Sequence, residues 1–117
     1  MRVALIGCIA WTCVVLAGCG GQPSLDDQIG EATSLMQVGR LAQAKTLLHV
    51  ALNRDPYNAQ ALYVMGRVQH AEGNLDQAIY YYQCALSSDP AHAAAAANLK
   101  RARQEAGATT PGVKIIP

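Results

Sequence analysis

Apolar positions recur at gaps of three and four along the middle of the chain. Between residues 41 and 52 they fall at Leu41, Ala44, Leu47, Leu48, Ala51 and Leu52. Between 75 and 86 they fall at Leu75, Ala78, Ile79, Tyr82, Ala85 and Leu86. Each set lies on one face of a helix, which predicts helices over 41–54 and 75–88. The two stretches are also one stretch written twice. Gly39 returns as Gly73, Gln43-Ala44 as Gln77-Ala78 and Asp55-Pro56 as Asp89-Pro90, 34 positions later. A fixed period of this length marks a repeat architecture.

The polar punctuation agrees with helix, turn, helix. Residues 25–38 and 57–72 read as the first helix of each pair. Gly39 and Gly73 sit where the chain needs a left-handed turn residue. Asp55-Pro56 and Asp89-Pro90 read as a cap followed by the first helical residue, because proline has no N–H to lose there. Ser24 and Asp27 have capping-box spacing. Residues 93–106 predict a closing helix, with Ala95, Leu99, Ala102 and Ala106 as its apolar stripe. Its other positions, Lys100, Arg101, Arg103, Gln104 and Glu105, supply the polar outer face that a terminal repeat needs. Gly107, Pro111 and Gly112 read as an unstructured tail over 107–117. Val113 to Ile116 is also short enough to add as a strand to a partner's sheet edge.

These residues resemble the tetratricopeptide repeat. In 59–92, Leu62 takes the large apolar position, Met65-Gly66 the leucine-glycine pair, Ala78 the small crossing residue and Tyr82 the aromatic knob, with Ala85 and Pro90 completing the pattern. Gln69 stands where an aromatic is usual. In 25–58 only the second half matches well, because Gln28, Glu31 and Ala32 occupy positions that usually pack. That half is either a degenerate repeat or a divergent cap. The resemblance covers about 25–106 and implies an all-α fold: antiparallel helix pairs stacked as a short solenoid of two repeats plus the closing helix.

The resemblance also implies a peptide-binding groove lined by the first helix of each pair. Matched by position, the second repeat offers Gln60, Tyr63, Arg67 and His70. The closing helix offers Ala94, Asn98, Arg101 and Gln104, and the first repeat Ile29, Thr33, Met36 and Gln37. Arg67 and Arg101 suit a carboxylate or an acidic segment through their forks of donors. A solvated face with ordinary charges is the alternative.

The N-terminus has a different pattern. Met1-Arg2 precedes an apolar run from Val3 to Leu16, interrupted by Gly7 and Thr12. Fourteen residues are too few to span a bilayer and fit a signal-peptide core. The run ends in Leu16-Ala17-Gly18-Cys19, which resembles the lipobox of bacterial lipoproteins. That resemblance implies removal of 1–18 and acylation of Cys19. Each buried methylene contributes about 0.8 kcal/mol, so two or three chains anchor firmly. Residues 19–24 would then be a tether with a reach of about 20 Å at about 3.3 Å per residue. Gly20 after the cysteine implies the outer membrane, facing the periplasm.

Composition narrows the partners. Without Arg2, eight basic residues face eight acidic ones, so no field favours nucleic acid. Cys8 and Cys13 would leave with the signal and Cys19 would be acylated. Cys84 would remain without an intrachain disulfide partner. His49, His70 and His92 lack metal-ligand spacing, and no catalytic motif appears. The expectation is therefore no catalytic residue, no metal and no cofactor. The reading is a lipid-anchored scaffold binding a protein or peptide partner in the cell envelope, as an adaptor in pilus, secretion or outer-membrane assembly. The alternative is a structural lipoprotein that forms a homo-oligomer by stacking repeats.

Overall fold

The computed structural model describes residues 21–109, so the expected signal segment, Cys19 and residues 110–117 lie outside the described residues. The described residues form five helices and no strand: α1 (Leu25–Gln37), α2 (Leu41–Arg54), α3 (Ala59–Ala71), α4 (Leu75–Ser88) and α5 (Ala93–Thr109). The pairs α1/α2 and α3/α4 are antiparallel, and α5 lies along α4. The all-α expectation holds.

The same two turns are used twice. Within each pair the chain leaves the first helix through a left-handed glycine, Gly39 at φ 85° and Gly73 at φ 84°. The Arg40 N–H donates to the Leu35 carbonyl at 2.8 Å and the Gly39 N–H to Met36 at 3.1 Å. Asn74 and Gly73 repeat these bonds to Gln69 and His70. This closure satisfies carbonyls that the helix end leaves without partners.

Between pairs the expectation is corrected. Asp55-Pro56 does not open α3, nor Asp89-Pro90 α5. Each forms a reverse turn, with Asn58 N–H donating to the Asp55 carbonyl at 3.2 Å and His92 N–H to Asp89 at 3.1 Å. The aspartate side chains accept from Tyr57 N–H at 3.2 Å and Ala91 N–H at 3.1 Å. Proline at the second position of such a turn is as well placed as at a helix start. The caps are Asn58, which accepts from Ala61 N–H at 2.9 Å, and His92, whose Nδ1 accepts from Ala95 N–H at 3.1 Å. Ser24 caps α1 by accepting from Asp27 N–H at 3.0 Å.

Burial follows the sequence period. Ala44, Leu48 and Ala51 of α2 are fully buried, and so, 34 residues later, are Ala78, Tyr82 and Ala85 of α4. The first core joins α1, α2 and α3 through Ile29, Ala32, Leu48, Val64, Met65 and Val68. Further cores unite α4 and α5 through Tyr82, Leu99 and Ala102, and Leu62 with Ala85 and Ala95. The first half of repeat one forms a packed helix after all. Ala32 is fully buried, and Gln28 is buried because the Arg54 guanidinium donates to its amide oxygen at 3.1 Å. Glu31 faces solvent. Gln69, also buried, accepts from the Asn74 amide at 3.0 Å, so a polar residue fills the aromatic position without an unpaired group. At the far end α5 runs past its expected stop, through Gly107 to Thr109. One glycine near a helix end costs only about 1 kcal/mol and does not terminate it.

Two helices pack closely within the second repeat. A Cβ on Gly66 would stand 2.6 Å from the Tyr82 ring. In the first repeat the equivalent pair is Ala32 and Leu48, where a smaller knob admits a methyl group.

Two predictions follow from Tyr82. Gly66→Ala is expected to destabilise the fold by about 1–3 kcal/mol through overpacking. Adding Tyr82→Leu should recover part of that loss, so the double variant is less destabilised than the sum of the singles in chemical denaturation; strict additivity would refute the contact. Burial, followed by the neighbouring Tyr63, pushes the Tyr82 phenol from its ordinary 10.0 up to about 12. The folded state thus keeps a proton that the unfolded chain loses near pH 10. The stabilisation is complete below that pH and is lost as pH rises towards 12, at a cost of the order of 2 kcal/mol. Tyr82→Phe should flatten this alkaline decline, and an unaltered decline would exclude Tyr82 as its source.

Candidate peptide-binding cleft

Helix α5 packs chiefly along α4 and meets α3 mainly through long side chains. The separation leaves an open cleft of about 240 Å³ lined by Arg67, His70, Ala71, Tyr82, Asn98 and Arg101. Gln60, Tyr63, Arg67 and His70 follow one another along α3 at helical spacing, and Asn98 and Arg101 face them from α5. At 240 Å³ the cleft is smaller than the about 300–1,000 Å³ of small-molecule pockets. It is an open trough at the surface.

A chain of polar contacts holds the cleft. The Asn98 amide donates to the Tyr63 hydroxyl at 3.1 Å, bridging α5 to α3. The Arg67 guanidinium lies 5.7 Å from the centroid of the Tyr63 ring, within cation–π range. The Tyr63 ring also meets the His92 ring at 4.8 Å between centroids. His92 Nε2 lies 3.2 Å from the Gln60 amide oxygen. At the opposite end His70 Nε2 is 2.7 Å from the Glu105 carboxylate, and the Tyr82 hydroxyl is 3.4 Å from His70 Nδ1. The Glu105 carboxylate only accepts, so the 2.7 Å contact calls for a hydrogen on His70 Nε2. In a neutral His70 that leaves Nδ1 as an acceptor for the Tyr82 hydroxyl.

The structure brings six of the nine expected groove residues together: Gln60, Tyr63, Arg67, His70, Asn98 and Arg101. The other three lie elsewhere. Gln104 lines a hollow between α4 and α5 with Leu86, Leu99, Lys100 and Arg103. It is six residues, or about 120° of helix, from Asn98, whereas Glu105 is seven residues away and nearly in line. Met36 is half-buried against the first core, and Gln37 is exposed on the last turn of α1. Neither lines the cleft. Ile29 is buried in the first core and Thr33 returns its hydroxyl to the Ile29 carbonyl at 2.8 Å. Ala94 is exposed at the start of α5.

Glu105, His92 and Tyr82 contact the expected groove residues and were not among them. The heptad spacing from Asn98 signals Glu105. The 34-residue offset from Asn58 signals His92 as a cap.

A larger hollow of about 650 Å³ lies on another face, lined by Tyr57, Leu62, Tyr80, Tyr81 and Cys84 among others. Tyr80 is exposed and meets Tyr81 edge-on at 5.4 Å, while Tyr81 is half-buried. This divides the three consecutive tyrosines between core and surface as helical geometry requires. A hydrogen bond with the Cys84 side chain raises the Tyr80 phenol above its ordinary range. Among the described residues no group of histidine, cysteine and carboxylate side chains could hold a metal ion, and no helix is long and apolar enough to cross a membrane.

Comparison with curated proteins found no match. Residues 35–79 match the tetratricopeptide repeat family model, a span running from the end of α1 through the first turn of α4. With the all-helical fold, that match supports a tetratricopeptide-repeat protein, a class of protein–protein interaction scaffold.

Proposed function

We propose that the chain is a lipoprotein anchored through acylated Cys19, whose cleft between α3 and α5 binds an acidic segment of a protein partner in the cell envelope. The observation that carries the binding half is the pair of guanidinium groups, Arg67 and Arg101, in one open cleft beside the His70 imidazole and the Asn98 amide. Arginine forks take carboxylates in bidentate geometry, and two in one trough favour an acidic strand or helix over a neutral one. The anchoring half is supported by the apolar run that ends at Leu16-Ala17-Gly18-Cys19. The start of α1 is fixed to the body, since the Arg54 guanidinium donates to the Pro23 carbonyl at 2.9 Å. Only a few residues separate that point from Cys19, so the acyl chains would hold the scaffold close to the bilayer. The role is an adaptor in assembly of a pilus, a secretion system or the outer membrane, with the periplasmic face of the outer membrane as its place.

Self-association is the second reading. It is favoured by Tyr57 and Tyr80, which are 80% and 57% exposed at the rim of the larger hollow. Exposed aromatics beside an apolar hollow mark contact surfaces.

Crosslinking and recovery from intact cells, with wild type beside Cys19→Ala and Arg67→Glu, separates the readings. The expected result is recovery of envelope-machine subunits by wild type, their loss with Cys19→Ala through mislocalisation, and their loss with Arg67→Glu at unchanged membrane location. Subunits that persist with Arg67→Glu would exclude the cleft as their site. Recovery of the protein itself alone, in all three forms, would replace the adaptor reading with self-association.

A further inference from the structure

The larger hollow has a counterpart in the first repeat, and there a side chain crosses it. The Arg54 guanidinium, at the end of α2, reaches the start of α1. Through one nitrogen it donates to the Pro23 carbonyl at 2.9 Å and to the Gln28 amide oxygen at 3.1 Å. The same three positions 34 residues later are Ser88, Tyr57 and Leu62, and all three line the hollow of about 650 Å³. Serine is too short to span what arginine spans, and the Leu62 side chain offers no acceptor. The second repeat keeps the seat without its internal guest.

The walls differ between the repeats in one direction. Where the first repeat has Pro23, Thr46 and Leu47, the second has Tyr57, Tyr80 and Tyr81. The Tyr80 and Tyr81 rings meet at 73° with centroids 5.4 Å apart, so they form a corner. Tyr57 and Tyr80 are both exposed and open to another molecule. None of the described residues that line the hollow is an arginine, lysine, histidine or carboxylate. Aromatic rings attract cations through their quadrupole, and a planar guanidinium also stacks on them. The Ser87 and Ser88 hydroxyls supply acceptors, and the Tyr57 carbonyl corresponds to the Pro23 carbonyl that Arg54 engages. An electron-rich lining with no positive charge complements a cation.

We propose that this hollow is a second binding site, which takes an arginine side chain of a partner protein in the place that Arg54 occupies in the first repeat. The site is separate from the α3–α5 cleft and stands without it. Its preference is also the opposite one: the cleft offers guanidinium groups to an acid, and the hollow offers tyrosine rings to a base. Tyr57 and Tyr80 then act as walls of this seat rather than as contacts between copies.

The test is an NMR titration of the full-length protein in nonionic detergent micelles, which reads weak binding and locates it. The probe is an acetylated, amidated pentapeptide with arginine between two glycines on each side. The same peptide with citrulline, which keeps the shape and loses the charge, is the control. The arginine peptide should shift the amides of Tyr57, Tyr80 and Ser88 saturably, and the citrulline peptide should not. Tyr57→Ala and Tyr80→Ala, at exposed positions, should each weaken binding about fivefold, whereas Tyr57→Phe keeps the ring and should bind as wild type does. Ser88→Arg supplies the guanidinium from within and should abolish binding, while Arg67→Glu in the cleft should leave it unchanged. Equal response to citrulline, undiminished binding by Ser88→Arg, or shifts confined to residues outside the hollow would each overturn the proposal. Shifts at these amides that grow with protein concentration and ignore the peptide would also overturn it, and would assign the hollow to a second copy of the chain.

Discussion

The contact between Gly66 and the Tyr82 ring is the constraint on which the second half of the molecule depends. With hydrogen in place of a methyl group, α3 and α4 approach until the ring lies against the backbone. The Tyr82 ring is buried, yet its hydroxyl emerges beside His70 at the floor of the cleft. It also packs with Leu99 and Ala102, which attach α5. One side chain therefore joins the helix pair, seats the closing helix and touches the His70 imidazole at the cleft. Core and cleft cannot vary independently at this position. The first repeat, with Ala32 and Leu48, has the packing without the polar extension.

Most of the fold is legible because stacked repeats bury the same positions each time. The three- and four-residue gaps in 41–52 and 75–86 identify the buried faces, and the structure buries their central members. Local signals were misleading where one residue type serves two geometries. Asp-Pro fits a helix cap and a reverse turn equally well, and the choice is made by Asn58 and His92, which cap the helices two residues after each proline. Gly107 reads as a terminator but sits in a run of good helix formers, and the helix continues through it. Gln28 and Gln69 contradict an apolar template, yet Arg54 and Asn74 provide their hydrogen bonds. Such pairings join residues distant in sequence or placed by a turn, so periodicity alone does not reveal them.

The cleft was legible on α3 and only in part on α5. Four α3 residues at helical spacing define one face with little ambiguity. On α5 the low-contrast alanine sequence gives weak orientation, and an error of one residue turns a side chain by about 100°. That single step exchanges Glu105, which bonds across the cleft, for Gln104, which lies on the α4 side. Met36 and Gln37 fail for another reason. The first core draws Met36 inward, and the end of α1 leaves Gln37 exposed without bringing it to the cleft.

The attachment of α5 links stability to the proposed binding. Its buried stripe is only Ala95, Leu99 and Ala102, two of which are single methyl groups. At about 25 cal/mol per Å², so little apolar area contributes modestly. The polar bridges at the cleft, Asn98 to Tyr63 and Glu105 to His70, add to the packing of Ala95 on Leu62 in tying α5 to α3. A ligand that engages Arg67 and Arg101 together joins the two helices directly. By linkage, anything that binds only when α5 is docked also stabilises its docking. The terminal helix of a short solenoid is where this coupling matters most, because it has a neighbour on one side only.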